Sequence, residues 1–241
     1  MSADVTRPPG FLASVATLSE METVLAFGAD IVDLKNPAEG ALGAWAPDEL
    51  EEAVARWLAS GTRANLSATV GDVPLEPEAL VAAARRTAAT GVPLVKIGFP
   101  TPTAATLAPC LEALAPLARQ RRLIAVLFAD QRPDIDLIPA FAAAGFAGVM
   151  LDTADKAAGS LRIHLDEATL TRFVAAARAQ RLMTGLAGSL TLADVAPLAA
   201  LHPDYLGFRG ALCATGRTGA LDPERLAAVG AALKGGSAAA A

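Results

Sequence analysis

At 241 residues with a formal net charge of −5, the chain carries no extended Lys/Arg-rich patch. It therefore lacks the clustered cations that neutralise a phosphate backbone, which argues against nucleic acid as a partner. Its apolar runs fall short of the roughly 20 residues that span a bilayer, and residues 1–9 carry no signal-peptide core, so a cytoplasmic protein with no membrane partner is expected.

Hydrophobic residues make up 53% of the chain, much of it alanine, the strongest helix former. The length suits one large domain, since α/β barrels run to roughly 250 residues as a single unit. Residues 1–241 are read as that one domain, with 235–241 as a frayed tail. The two cysteines, Cys110 in an apolar helical pattern and Cys213 after a late strand, make neither a disulfide framework nor a metal-ligand spacing. Both are expected to be reduced, and no metal or cofactor is expected.

Short apolar segments alternate with Ala/Leu-rich amphipathic ones from end to end. The first candidate strand, 12–16, leads into Thr17-Leu18-Ser19-Glu20. It has no glycine-rich turn of the kind a dinucleotide fold uses to approach a pyrophosphate. A second strand covers 29–34. A helix then starts at Pro47, with Asp48, Glu49, Glu51 and Glu52 near its N-terminus, where negative charge suits the helix dipole. Further strands are read at 64–70, 94–98 and 123–128. The apolar stretch 137–151 contains Pro139, Gly145 and Gly148, and reads as a helix, a turn and a buried strand at 148–151. A helix over 165–180 follows, with Asp166 as its N-cap, and strands at 182–187 and 205–208 complete the series. Eight strands with intervening helices predict an α/β fold, a closed (β/α)8 TIM barrel; an open doubly wound sheet is the alternative.

The chain has sixteen arginines but four lysines: Lys35, Lys96, Lys156 and Lys234. Where arginine supplies generic charge, a retained lysine is informative, because lysine can lose its proton and act as a nucleophile. Lys35 and Lys96 fall at the C-terminal ends of strands two and four, and Lys156 in the loop after strand six, which is the active-site face of a TIM barrel. Asp33 precedes Lys35 by two, so both side chains can point into the mouth. Asp152 ends strand six, Asp130 follows strand five and Asp72 follows strand three. Any one of these is as readily a solvated loop residue or a structural ion pair. Lys35, Lys96, Asp33 and Asp152 converging on one mouth would cost desolvation without a purpose. Phosphate sites of such barrels lie in the loops after strands seven and eight, here Ala187-Gly188-Ser189 and Arg209-Gly210-Ala211; glycines at strand ends are also ordinary turn residues. His164 and His202 carry no supporting pattern and are read as non-catalytic.

The run from Asp33 to Gly43 (Asp33-Leu34-Lys35-Asn36-Pro37-Ala38-Glu39-Gly40, then Leu42-Gly43), followed by Ser67-Ala68-Thr69-Val70-Gly71-Asp72, resembles the (5-formylfuran-3-yl)methyl phosphate synthase family. Val95-Lys96-Ile97-Gly98, Phe128-Ala129-Asp130, Met150-Leu151-Asp152-Thr153 with Lys156, Leu186-Ala187-Gly188-Ser189 and Gly207-Phe208-Arg209-Gly210-Ala211 with Cys213 extend the match in order. It covers residues 12–233 and departs from the family pattern at 157–164 and 214–220. The resemblance implies a TIM-barrel lyase of methanofuran-type cofactor biosynthesis. Such an enzyme condenses two glyceraldehyde 3-phosphate molecules into a phosphorylated furan aldehyde, with loss of phosphate and water. It implies Lys35 as the Schiff-base lysine and Asp33, Lys96, Asp152 and Lys156 as the other catalytic groups. Gly188, Ser189, Arg209, Gly210 and Asp130 form the expected substrate- and phosphate-binding set, triose phosphates are the expected small-molecule partners, and a homo-oligomer is expected. Two other readings stay open: a class I aldolase of another phosphorylated sugar, and a non-catalytic barrel that senses a sugar phosphate.

Overall fold

A computed structural model describes residues 8–235. Eight parallel strands close on themselves in sequence order: β1 (Gly10–Val15), β2 (Ile31–Leu34), β3 (Asn65–Thr69), β4 (Leu94–Phe99), β5 (Arg122–Phe128), β6 (Gly148–Asp152), β7 (Met183–Leu186) and β8 (Tyr205–Phe208). Around them lie α1 (Leu18–Phe27), α2 (Pro47–Ala59), α3 (Pro77–Ala89), α4 (Ala104–Ala118), α5 (Ile138–Ala143), α6 (Leu161–His164), α7 (Glu167–Ala179), α8 (Val195–Ala199) and α9 (Pro223–Gly235). This is the TIM barrel expected from the alternation.

Strand side chains alternate between two cores. The outward set, including Phe11, Ala13, Val15, Val32, Leu34, Val95 and Ile97, packs against the helices in one continuous cluster. The inward set, including Leu12, Ile31, Leu94, Ile124, Val126, Met150 and Tyr205, fills the barrel. Toward the C-terminal mouth the inward positions turn polar. The register sets Asp33 beside Ser14 and Ser67, Thr69 beside Lys96, and Phe128 beside Asp152. Staggered parallel strands thus lift Ser14, Asp33, Ser67, Lys96 and Asp152 to neighbouring levels.

The local signals were sound, with small shifts at boundaries. Asp166 caps α7 by accepting from the Thr169 N–H at 2.8 Å. Glu49 accepts from the Ala46 N–H at 3.1 Å at the start of α2, where Pro47 sits in the first turn. The second strand begins at Ile31 rather than at 29, because Ala29 is still tied to the end of α1 through Val24 O. The stretch 137–151 is α5, a turn with Gly145 at φ +89°, and β6. Gly235, the first residue of the expected tail, is the last residue of α9; the rest of that tail, residues 236–241, lies outside the described residues.

Candidate active site

Asp33 and Lys96 form the floor of the mouth. Both are buried, and Lys96 Nζ lies 2.9 Å from Asp33 Oδ2. The Ser14 and Ser67 hydroxyls donate to the same carboxylate at 2.9 and 2.7 Å. Burial alone would raise the Asp33 pKa. Lys96, Lys35 and the donated hydrogen bonds outweigh it and hold the group below the ordinary carboxylate range. With three donors on one carboxylate, Asp33 is locked as an anion.

Lys35 stands one residue beyond β2 and keeps the inward phase of Ile31 and Asp33. Its side chain is only 7% exposed, and its Nζ is 3.8 Å from Asp152 Oδ2, an ion pair too long to be a hydrogen bond. Burial is the main reason its pKa falls to about 8; Lys156 and Lys96 lower it further, while Asp152 and Asp33 oppose. The three lysines therefore differ in kind. Lys96 is pinned by Asp33, Lys156 bonds to Asp152 and reaches Thr153 Oγ1 at 3.4 Å, and Lys35 has an amine free to turn. Burial would raise the Asp152 pKa, but Lys156 and Lys35 bring it down to about 2.

The loops after β6, β7 and β8 complete the site. Asp130 accepts from the Ala154 and Asp155 N–H groups at 2.8 Å each, so it fastens the loop that carries Lys156 rather than lining the cleft. Ser189, at φ +46°, donates its hydroxyl to Lys156 O at 3.0 Å. Gly188, at φ +104°, lies so close to Thr153 and Asp152 that a Cβ would meet backbone nitrogen at 3.0 Å. The N–H groups of Gly188, Ser189, Gly210 and Ala211 have no acceptor among the described residues, and these residues line the cleft, where free amides can receive an anion. Arg209 is placed differently from a phosphate donor. Its guanidinium is buried against Glu20 and donates to Ser14 O at 3.3 Å, Arg217 O at 2.8 Å and Gly219 O at 2.8 Å, so its donors are committed inside the protein.

Lys35, Lys96, Asp152 and Lys156 share one cleft of about 490 Å3 with Gly188, Ser189, Arg209 and Gly210. That size suits a small phosphorylated ligand. Sequence reasoning missed Ser14, Glu20 and Arg217. The first two are signalled only by barrel phase and by contacts distant along the chain; Arg217 sits in the departing loop 214–220. Among the described residues there is no group of three or more His, Cys, Asp or Glu placed to hold a metal, and no helix is long and apolar enough to cross a membrane. Cys110 and Cys213 are both free and buried.

A 4-HFC-P synthase family model matches residues 11–230. A Methylorubrum extorquens relative is 43% identical over 229 residues, covering 95% of this chain and 93% of its own. The (5-formylfuran-3-yl)methyl phosphate synthases of Methanococcus aeolicus and Archaeoglobus fulgidus are 36% and 32% identical, covering 85% and 88% of this chain and 90% and 94% of theirs. Among solved structures, phosphoribosylanthranilate isomerase of Thermotoga maritima superposes with a TM-score of 0.65 at 14% identity, over 94% of this chain and 99% of its own. 3-Hexulose-6-phosphate synthase of Salmonella typhimurium gives 0.61 at 13%, over 94% and 99%. At those identities the structural likeness concerns the fold alone. The sequence relationship spans nearly the whole barrel, and the chain belongs to the 4-HFC-P synthase family.

Proposed function

We propose that this chain condenses two molecules of glyceraldehyde 3-phosphate into (5-formylfuran-3-yl)methyl phosphate, inorganic phosphate and two molecules of water, through an imine on Lys35. The observation that carries the reading is a buried lysine at the barrel mouth with a depressed pKa of about 8 and an amine outside hydrogen-bond reach of its carboxylate neighbour. Family membership supplies the product class.

A neutral amine attacks an aldehyde carbon, and loss of water gives an iminium. The iminium withdraws electrons and acidifies the adjacent C–H, so a base can form the enamine. That enamine attacks the second aldehyde, or expels a β-phosphate as the bonding pair of the C–O bond leaves with the phosphate oxygen. Asp152, which faces both Lys35 and Lys156, is placed to pass protons between carbinolamine, water and substrate. Lys96 and Asp33 hold a fixed charge pair beneath the reacting carbons. Together they tune Lys35 rather than exchange its protons. The free amides of the β7 and β8 loops receive a substrate phosphate.

Borohydride reduction in the presence of a triose phosphate tests the reading. It should leave a stable three- or six-carbon adduct on Lys35, located by peptide mass analysis. An adduct on Lys96 or Lys156 in place of Lys35 would move the nucleophile and overturn the assignment.

A further inference from the structure

Two triose phosphates bring two phosphate groups into one mouth, and the free amides of the β7 and β8 loops account for one. The cations of the cleft show where the other can go. Lys96 is paired with Asp33, Lys156 with Asp152, Arg209 with Glu20 and Arg225 with Asp222. Lys35 shares Asp152. Among the described cleft cations, Arg217 alone has no carboxylate within ion-pair distance.

Arg217 is nonetheless built into place. Residues 213–221 form a tight hairpin, with a bridge between Cys213 and Leu221 and with Ala214 N–H bonded to Ala220 O at 3.2 Å. The Arg209 guanidinium, held by Glu20, donates to Arg217 O and Gly219 O and so fixes that hairpin from below. From there the Arg217 side chain crosses to the loop after β2 and donates one Nη2 hydrogen to Gly40 O at 2.7 Å. A guanidinium has five donors, so four have no acceptor among the described residues, and Arg217 lines the cleft. Burial lowers its pKa despite the opposing charges of Asp152 and Asp72. Both carboxylates act from beyond ion-pair distance, so no carboxylate among the described residues competes with a phosphate for direct contact with the guanidinium.

We propose that Arg217 binds the phosphate of the second triose phosphate, apart from the amide cradle that holds the first; this rests on the two-triose reading above. Arg209 is then the positioning residue for Arg217. In the enamine step the departing phosphate takes the C–O bonding pair while the nitrogen lone pair restores the iminium. That phosphate belongs to the Lys35-bound triose and leaves from the amide cradle, while the planar, bidentate fork of Arg217 holds the second triose phosphate in reach of the enamine.

Calorimetric titration of the full chain with inorganic phosphate reads the proposal without turnover. The wild type should take up two phosphates per chain and Arg217→Gln one. Arg217→Lys should keep the second site with affinity weakened roughly tenfold, because an ammonium lacks the bidentate fork. Imine trapping at Lys35 with dihydroxyacetone, which carries no phosphate for Arg217 to hold, separates a lost anion site from a collapsed hairpin and should persist in Arg217→Gln. One phosphate in the wild type, or two in Arg217→Gln, would overturn the proposal. So would loss of dihydroxyacetone trapping in Arg217→Gln, since Arg217 would then be only a strap on Gly40. Absence of trapping with glyceraldehyde 3-phosphate in the wild type would sink the condensation reading instead, while the phosphate counts would still decide the anion site.

Discussion

Lys35 and Lys96 are both buried lysines at the same mouth, yet they should answer to different experiments. Lys96 compensates Asp33, so Lys96→Ala leaves a buried, unpaired carboxylate. Breaking such a pair costs about 3–5 kcal/mol, which chemical denaturation would register. Lys35 has only the long contact to Asp152, which Lys156 already serves. Lys35→Arg keeps the charge, and turnover should be lost because guanidinium stays protonated. The pH dependence follows from the same geometry. If Lys35 forms the proposed imine, its reactive form is neutral, so kcat/KM should rise as pH increases through about 8, where burial brings the amine's pKa. Lys156→Met removes a charge that lowers that pKa and frees Asp152 to raise it. The rising limb should then move to higher pH and activity at pH 7 should fall; a limb unmoved in Lys156→Met would show that another group controls it. At this scale the sequence was informative where a strand alternates: Asp33, Lys35, Lys96 and Asp152 could be placed from position alone. It could not tell which lysine is pinned, because that depends on the stagger between β2, β3 and β4. Nor could it show that Arg209 turns to Glu20, since the two residues meet only when β8 closes on β1.

The loop after β2 is the element that makes the site. Residues 36–43 turn back toward the barrel and place Leu42, fully buried, among the inward residues. Asp72 holds the loop through the Ala41 and Leu42 N–H groups at 2.8 and 3.1 Å, and Thr69 Oγ1 donates to Gly43 O at 2.9 Å. Gly40 is obligatory here: its φ is +112°, and a Cβ would stand 1.9 Å from Asp72 Oδ2. Gly40→Ala should therefore break the Asp72 grip and cost about 1–3 kcal/mol. Its kcat/KM should fall further than a stability loss of that size explains, because Lys35 begins the same loop. Unchanged kinetics in a destabilised Gly40→Ala would separate the loop from catalysis. Asp72 could be read from the sequence only as an acid following a strand. Its role as a loop clasp needs the two loops side by side, and no period or propensity encodes that meeting. Local signals such as the Asp166 cap and the Pro47 helix start were legible because both partners lie within one turn of chain.

For the molecule as a whole, the barrel was readable because each strand and helix repeats a pattern that burial enforces twice, once against the helices and once inside the barrel. The loops at the C-terminal face answer to no such pattern: both Arg209 and Arg217 line the cleft, but the expected phosphate donor Arg209 has its donors committed to Glu20 and backbone carbonyls, while Arg217 gives one to Gly40 O. Closure of the barrel converts these scattered residues into one charged mouth, and a condensation with several proton transfers needs that whole mouth. Continuous ultraviolet absorbance coupled to phosphate assay, with glyceraldehyde 3-phosphate as sole substrate, tests this most directly, because a furan aldehyde absorbs where the trioses do not. The expected result is a rising absorbance matched one to one by inorganic phosphate. A hexose bisphosphate formed with neither absorbance nor phosphate release would contradict it and identify a class I aldolase.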